Sequence, residues 1–113
     1  KETAMHHPKF VIKQGSSDEY SFHLTASNSE IILVSQRYGS RESAENGVAS
    51  VKTNAPHDER YRRRTSKDEQ RYFVLKAANG EVIGTSEMYR ADAGMEGGIA
   101  SVKRWAAGAG LEG

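Results

Sequence analysis

Four arginines and one tyrosine stand together in "RYRRR", Arg60 to Arg64, in a chain whose charge is otherwise evenly mixed. Guanidinium forks hold phosphates through paired hydrogen bonds, and a tyrosine ring stacks on a base. On a strand, Arg60, Arg62 and Arg64 share one face while Tyr61 and Arg63 take the other. A stripe of cations suits an anionic ligand such as a nucleic acid. Against that, Asp58, Glu59, Asp68 and Glu69 flank the run, and the whole chain carries a formal net charge of only +1. Nucleic-acid affinity draws on counterion release at many phosphates. A solvated, charged edge strand is therefore the favoured reading, and nucleic-acid or anion binding through Arg60, Arg62 and Arg64 is the alternative.

The remaining reactive side chains form no constellation. His6, His7 and His57 sit in polar, loop-like surroundings and His23 lies within a strand pattern, without the three or four converging ligands that a metal site needs. The acid pairs Asp18-Glu19, Asp58-Glu59 and Asp68-Glu69 fall at turns or linkers, where a carboxylate stays solvated and untuned for acid-base work. Ser35 and Ser86 follow no nucleophile-elbow pattern. "GMEGG", Gly94 to Gly98, lies within a helical pattern and lacks the strand and the Lys-Ser/Thr ending of a phosphate loop. There is no cysteine, hence no disulfide and no thiolate chemistry. No catalytic, cofactor-binding or metal residue is assigned, no cofactor is expected, and the balance leans away from an enzyme. Tyr89 and Trp105 are expected to be packing residues at element ends.

These residues are positioned by a repeat. "ASNSEIILVSQRY" at Ala26 to Tyr38 returns as "AANGEVIGTSEMY" at Ala77 to Tyr89, and "ASVK" at Ala49 to Lys52 returns at Ala100 to Lys103, a shift of 51 positions throughout. A period of about fifty residues is one supersecondary unit written twice. In the second copy "RYFVLKA" alternates, Asn79-Gly80 is a hairpin signal, and "EVIGTSE" returns. A two-residue turn there sets Ala78 against Glu81 and Leu75 against Gly84. Phe73, Leu75, Ala77, Val82, Gly84 and Ser86 then share one sheet face, and Tyr72, Val74, Ile83 and Thr85 the other. The first copy repeats this with Phe22, Leu24, Ala26, Ile31 and Leu33 against His23, Ile32 and Val34. Its turn carries Ser29 where glycine would be easier, so a longer turn or local strain is expected.

An earlier strand precedes each hairpin, "KFVIKQ" from Lys9 and "RYRRRT" from Arg60. Arg63 replaces Ile12 in the second, which marks it as an edge. A helix follows each hairpin. Ala44, Gly47, Val48, Val51 and Ala55 in the first, and Met95, Gly98, Ile99, Val102 and Ala106 in the second, make a buried stripe at helical spacing. Ser40 and Asp92 are candidate caps, and Pro56 stops the first helix. Gly47 and Gly98 lie inside the stripe despite their cost in a helix, so each is expected to let the backbone approach the sheet closely.

The expected fold is α+β, a tandem βββα duplication with about six antiparallel strands in pseudo-two-fold arrangement and two helices packed on the sheet. Residues 1–8 are expected to be a flexible N-terminus, 9–55 the first repeat, 56–59 a linker, 60–106 the second repeat and 107–113 a flexible tail, with both repeats forming one compact domain. The tandem phrases "LKAANGEVIGTSEMY", Leu75 to Tyr89, "GGIASVKRWA", Gly97 to Ala106, and "NGVASVKTNA", Asn46 to Ala55, resemble the YegP family of small bacterial proteins. That resemblance spans residues 9–106 and implies the duplicated βββα fold together with a biochemical role that is uncharacterised. The chain departs from the usual wording at Ser29, where glycine is typical, and at Gly97 and Trp105, where asparagine is.

The second sheet face offers a further candidate. Ile32, Val34, Val74 and Ile83 form an apolar patch there unless packing covers it, suited to homodimerisation or to a protein partner. A non-enzymatic binding or protein-interaction module is accordingly the leading functional expectation. No apolar run reaches the length of a membrane span and the polar start has no signal-peptide core, so the sequence points to a cytoplasmic protein without a membrane partner.

Overall fold

The computed structural model describes residues 7–113. In each copy, alternating β-formers build three strands and a helical stripe follows them. Strands β1 (Lys9–Gln14), β2 (Tyr20–Thr25) and β3 (Ile31–Val34) lead into α1 (Arg41–Asn54). A 3-10 turn at Asp58–Arg60 then leads to β4 (Tyr61–Thr65), β5 (Arg71–Lys76), β6 (Val82–Thr85) and α2 (Asp92–Trp105). The strands form one sheet in the order β4-β5-β6-β3-β2-β1, continued past β1 by a seventh strand, β7 (Gly110–Glu112).

The duplication is visible in the hydrogen bonding. The two halves meet through β3 and β6, where Val34 pairs with Thr85. Those residues are 51 positions apart, so each pairs with its own counterpart and the pseudo-two-fold axis passes between them. The bridge from Tyr20 to Tyr38 recurs as Arg71 to Tyr89.

Strand β7 is the main departure from the expected six antiparallel strands and flexible tail. It runs parallel to β1, with Leu111 opposite Phe10. Its three residues, Gly-Leu-Glu, carry no strand pattern of their own. The position is held from outside, by burial of Ala109 just before it and by the ion pair of Lys9 with Glu112 at 2.8 Å. Of the expected flexible stretch 1–8, residues 1–6 lie outside the described residues.

Both helices cover one face of the sheet, and every residue of the two predicted stripes is buried there. Ser40 caps α1, its hydroxyl accepting from the Ser43 amide at 3.1 Å. Asp92 does not cap α2. Ala91 takes that position, and Asp92, at the first helical residue, pairs with Arg71 at 2.8 Å.

The β2–β3 and β5–β6 turns are one residue longer than a two-residue hairpin. The Ala77 amide donates to the Glu81 carbonyl, and the Gly80 amide to Ala77, so Ala77 rather than Ala78 faces Glu81. Gly80 and its counterpart Ser29 take φ of +90° and +72°. A bulge then restores the expected register, and Leu75 does face Gly84. The glycine has an evident reason there, because a Cβ on Gly84 would lie 2.6 Å from the Leu33 side chain across the junction of the two halves.

Candidate functional site

The bulge changes which side chains reach which face. Ile32 and Ile83 are the extra residues opposite the Leu24–Thr25 and Leu75–Lys76 steps. A bulged residue turns toward the side of its neighbour, so Ile32 joins Leu33, and Ile83 joins Gly84, under the helices. They are 5% and 6% exposed and belong to the core. Ile31 and Val82, expected inside by strict alternation, face out instead and pair with Thr25 and Lys76. The predicted patch of Ile32, Val34, Val74 and Ile83 is therefore divided. Val34 stays on the helix-free face at 38% exposure, and Val74 lies on that face but is shielded to 7%.

Among the described residues no element covers this second face. Its central row crosses all seven strands: Glu112, Val11, His23, Val34, Thr85, Val74 and Arg62 are successive cross-strand partners. Cross-strand partners share a face. The antiparallel registers put Lys9, Thr25, Ile31, Tyr72 and Arg64 on one side of that row, and Lys13, Ser21, Val82 and Lys76 on the other. The middle of the face is short and apolar or hydroxylic. Its flanks are basic.

The arginine run is split by its strand. Arg60 precedes β4 and turns back to α1, its guanidinium donating to Asn54 Oδ1 at 2.8 Å, so it leaves the expected stripe. Arg62 and Arg64 face the uncovered side and are exposed. Arg62 donates through Nη1 to the Glu59 and Tyr61 carbonyls at 2.7 and 3.2 Å. Tyr61 is no stacking platform: it is buried, and its hydroxyl donates to the Ala55 carbonyl at 2.7 Å. Tyr72, two residues into β5 and half-buried on the uncovered face, was signalled only by its alternation with Phe73.

On the helix side the cations are matched. Arg63 holds Glu96 on α2 and reaches Asp58 at 3.2 Å, and Lys103 meets the same Asp58 oxygen at 2.8 Å. These hydrogen bonds draw the Asp58 carboxyl below its ordinary range, Lys103 first and Arg63 second, and Arg63 does the same to Glu96. Asp58 is thus engaged away from the uncovered face. On that face His23 is held below the ordinary histidine value, first by burial and then by the positive charges of Lys13 and Lys9.

The serines read as strand positions are structural. Ser86 Oγ accepts from the Phe73 amide at 3.0 Å and donates to the Glu87 carbonyl, and Ser35 does the same for Phe22 and Gln36. Trp105 packs partly buried against the core, with the Arg104 guanidinium 4.7 Å above its ring. His57 and His7 are exposed, and no cluster of three metal-ligating side chains occurs among the described residues. A shallow depression of about 490 Å³ is lined by Ser29, Glu30, Ile31, Ile32, Glu87 and Tyr89, and both of its carboxylates are solvent-exposed.

A sheet built from two βββα units, helices on one side and a bare face on the other, places the chain among duplicated α+β domains. A family model described as a domain of unknown function, DUF1508, matches twice, at residues 16–61 and 66–112. A UPF0339 protein of Bordetella pertussis is 54% identical over 100 residues, covering 88% of this chain and 89% of that protein. YegP of Escherichia coli is 47% identical over 94 residues, covering 83% and 86%. The solution structure of E. coli YegP, a protein of unknown function, superposes with TM-score 0.89 at 40% identity over 97% of this chain and 95% of that one. A UPF0339 protein of Shewanella oneidensis superposes with TM-score 0.88 at 38% identity, covering 93% and 89%. The chain belongs to the UPF0339/YegP family, whose biochemical role is uncharacterised. No helix is long and apolar enough to cross a membrane among the described residues.

Proposed function

We propose that the chain is a non-enzymatic binding module whose working surface is the sheet face left bare by the helices. The observation that carries this reading is the side-chain content of that face. Ile31, Val34 and Val82 are exposed there although hydrophobic, on the two central strands β3 and β6, with Ile31 and Val82 to either side of the Val34–Thr85 pair and basic side chains on the outer strands. Scattered exposed apolar residues are ordinary on a protein surface, but a contiguous group with a polar rim marks a contact site. Ser35, Ser86, Asp58 and Glu96, by contrast, are engaged in contacts that hold the fold.

The test is a comparison of surface variants as bait. Val34→Glu places a charge at the centre of the bare face, and Ala49→Glu, at an exposed position of α1, is a helix-side control with the same change of charge. Immobilised wild-type and variant proteins are exposed to cell extract with and without nuclease, after circular dichroism confirms folding. Loss of a captured component with Val34→Glu alone supports the face as the working surface. Equal retention by both variants, or equal loss, refutes it.

A further inference from the structure

We propose that the bare sheet face binds single-stranded nucleic acid, with bases over the central Val34, Thr85 and Tyr72 region and phosphates on the cations at the two flanks. This deepens the binding-module reading and rests on it.

Charge sorting across the sheet is the first support. Strand residues on this face supply five fixed cations, Lys9, Lys13, Arg62, Arg64 and Lys76, and one carboxylate, Glu112, which pairs with Lys9. The near-zero charge of the chain conceals this, because the excess of cations on this face is offset by acids elsewhere in the chain, while Asp58, Asp92 and Glu96 are engaged on the helix side by Lys103, Arg71 and Arg63. A local field of one sign attracts a polyanion whatever the total charge.

Geometry is the second. The cations sit toward opposite edges, Lys9 and Lys13 on β1, Lys76 on β5 and Arg62 and Arg64 on β4. From β1 to β4 is five strand spacings, about 24 Å at ~4.8 Å each. That span suits several nucleotides laid across the strands. A duplex hides its bases and is read by an element that enters a groove, whereas this face is a sheet surface with an apolar middle. Exposed bases on a single strand can occupy that middle while their phosphates reach the flanks, and Tyr72 supplies an aromatic face for stacking. The lowered pKa of His23, set first by burial and then by Lys13 and Lys9, agrees with positive charge on this face.

Fluorescence anisotropy of the whole chain with a mixed-sequence 20-nucleotide DNA, the corresponding RNA and the same DNA as a duplex decides the matter. If all five cations meet phosphates, affinity for a single strand falls by about 100-fold between 50 and 200 mM salt, at about −0.7 logarithmic units per contact. The Arg62→Ala/Arg64→Ala double variant loses about 50-fold at 50 mM salt by the same coefficient and shows a shallower salt slope. Lys13→Ala, on the opposite flank, weakens binding as well. Arg41→Ala, whose partner is Glu45 on the helix side, leaves binding unchanged. Circular dichroism of each variant separates lost binding from lost folding.

No single-strand binding at 50 mM salt overturns the proposal, as does binding indifferent to the double variant. Equal or tighter binding to the duplex, to polyglutamate, or to vesicles containing phosphatidylserine also overturns it. A nuclease-resistant component captured through Val34, with no oligonucleotide bound, would leave the binding-module reading standing and remove only the nucleic acid.

Discussion

Gly97 and Gly98 are adjacent in α2, yet alanine should act in opposite directions at the two sites. Each substitution gains the same intrinsic helix preference, about 0.8–1 kcal/mol. A Cβ at Gly97 would meet no atom within 4 Å, so Gly97→Ala keeps the whole gain, a rise of about 4–6 °C in Tm for a domain of this size. At Gly98 a Cβ would collide with the Tyr89 hydroxyl, lie 2.8 Å from that ring's Cζ and 3.1 Å from Phe73 Cε2. Overpacking of this kind costs about 1–3 kcal/mol, so Gly98→Ala falls below Gly97→Ala by about that amount. Gly47→Ala should cost at least as much, since the corresponding rings are Tyr38 at 2.8 Å and Phe22 at 2.9 Å, the latter closer than Phe73 is to Gly98. Urea denaturation monitored by circular dichroism gives the order directly. Adding Tyr89→Phe to Gly98→Ala removes the colliding oxygen and recovers part of the loss. Equal stability of the Gly97 and Gly98 variants would refute close helix-to-sheet approach as the reason for glycine in the stripe.

Other perturbations read different parts of the fold. Ser86→Ala leaves the buried Phe73 amide without its acceptor and should cost about 1–3 kcal/mol in urea denaturation, more than Ser35→Ala, whose site is less buried. Ser29→Gly relieves a left-handed residue at φ +72° and should gain about 0.5–1 kcal/mol, whereas no change would show that the turn holds Ser29 without strain. His23 binds its proton less readily in the folded chain than in the unfolded one, so stability falls as pH drops through 6.5 and levels off below the folded-state value. His23→Gln should flatten that part of the pH profile in chemical denaturation, and an unchanged profile would remove His23 as its source.

The sequence carried the architecture because a repeat reports itself. Matching residues at one spacing, two apolar stripes and alternating strands suffice to define βββα twice, and Arg63 in place of Ile12 marked the edge strand. What alternation could not supply was the extra residue in each hairpin. Asn79-Gly80 is compatible with a two-residue turn, but the observed turn puts Gly80 one position later, and that single residue exchanges Ile31 for Ile32 and Val82 for Ile83 between the faces. The patch inferred from strict period two was therefore composed of the wrong isoleucines. Strand β7 was illegible for a different reason, because three residues carry no alternation and the strand exists only as an addition to the edge of β1. The arginine run was conspicuous, while the lysines sharing its face were ordinary residues of separate strands until the sheet assembled them.

The two-fold relation bears on how such a face could be used. Lys13 and Arg64 are equivalent under the 51-residue shift, and both project from the bare side near opposite edges. A cation at each symmetric corner is thus a property of the repeated unit, compatible with a polyanion crossing the axis at Val34 and Thr85. The remaining positions break that symmetry: Arg62 stands where the first copy has Val11, Tyr72 where it has Ser21, and Lys76 where it has Thr25. These differences gather the aromatic ring and three of the five cations on the second copy's half. A ligand held by both corners would meet the wider set of contacts at one end only, so the duplicated scaffold would fix its direction through residues that the copies do not share.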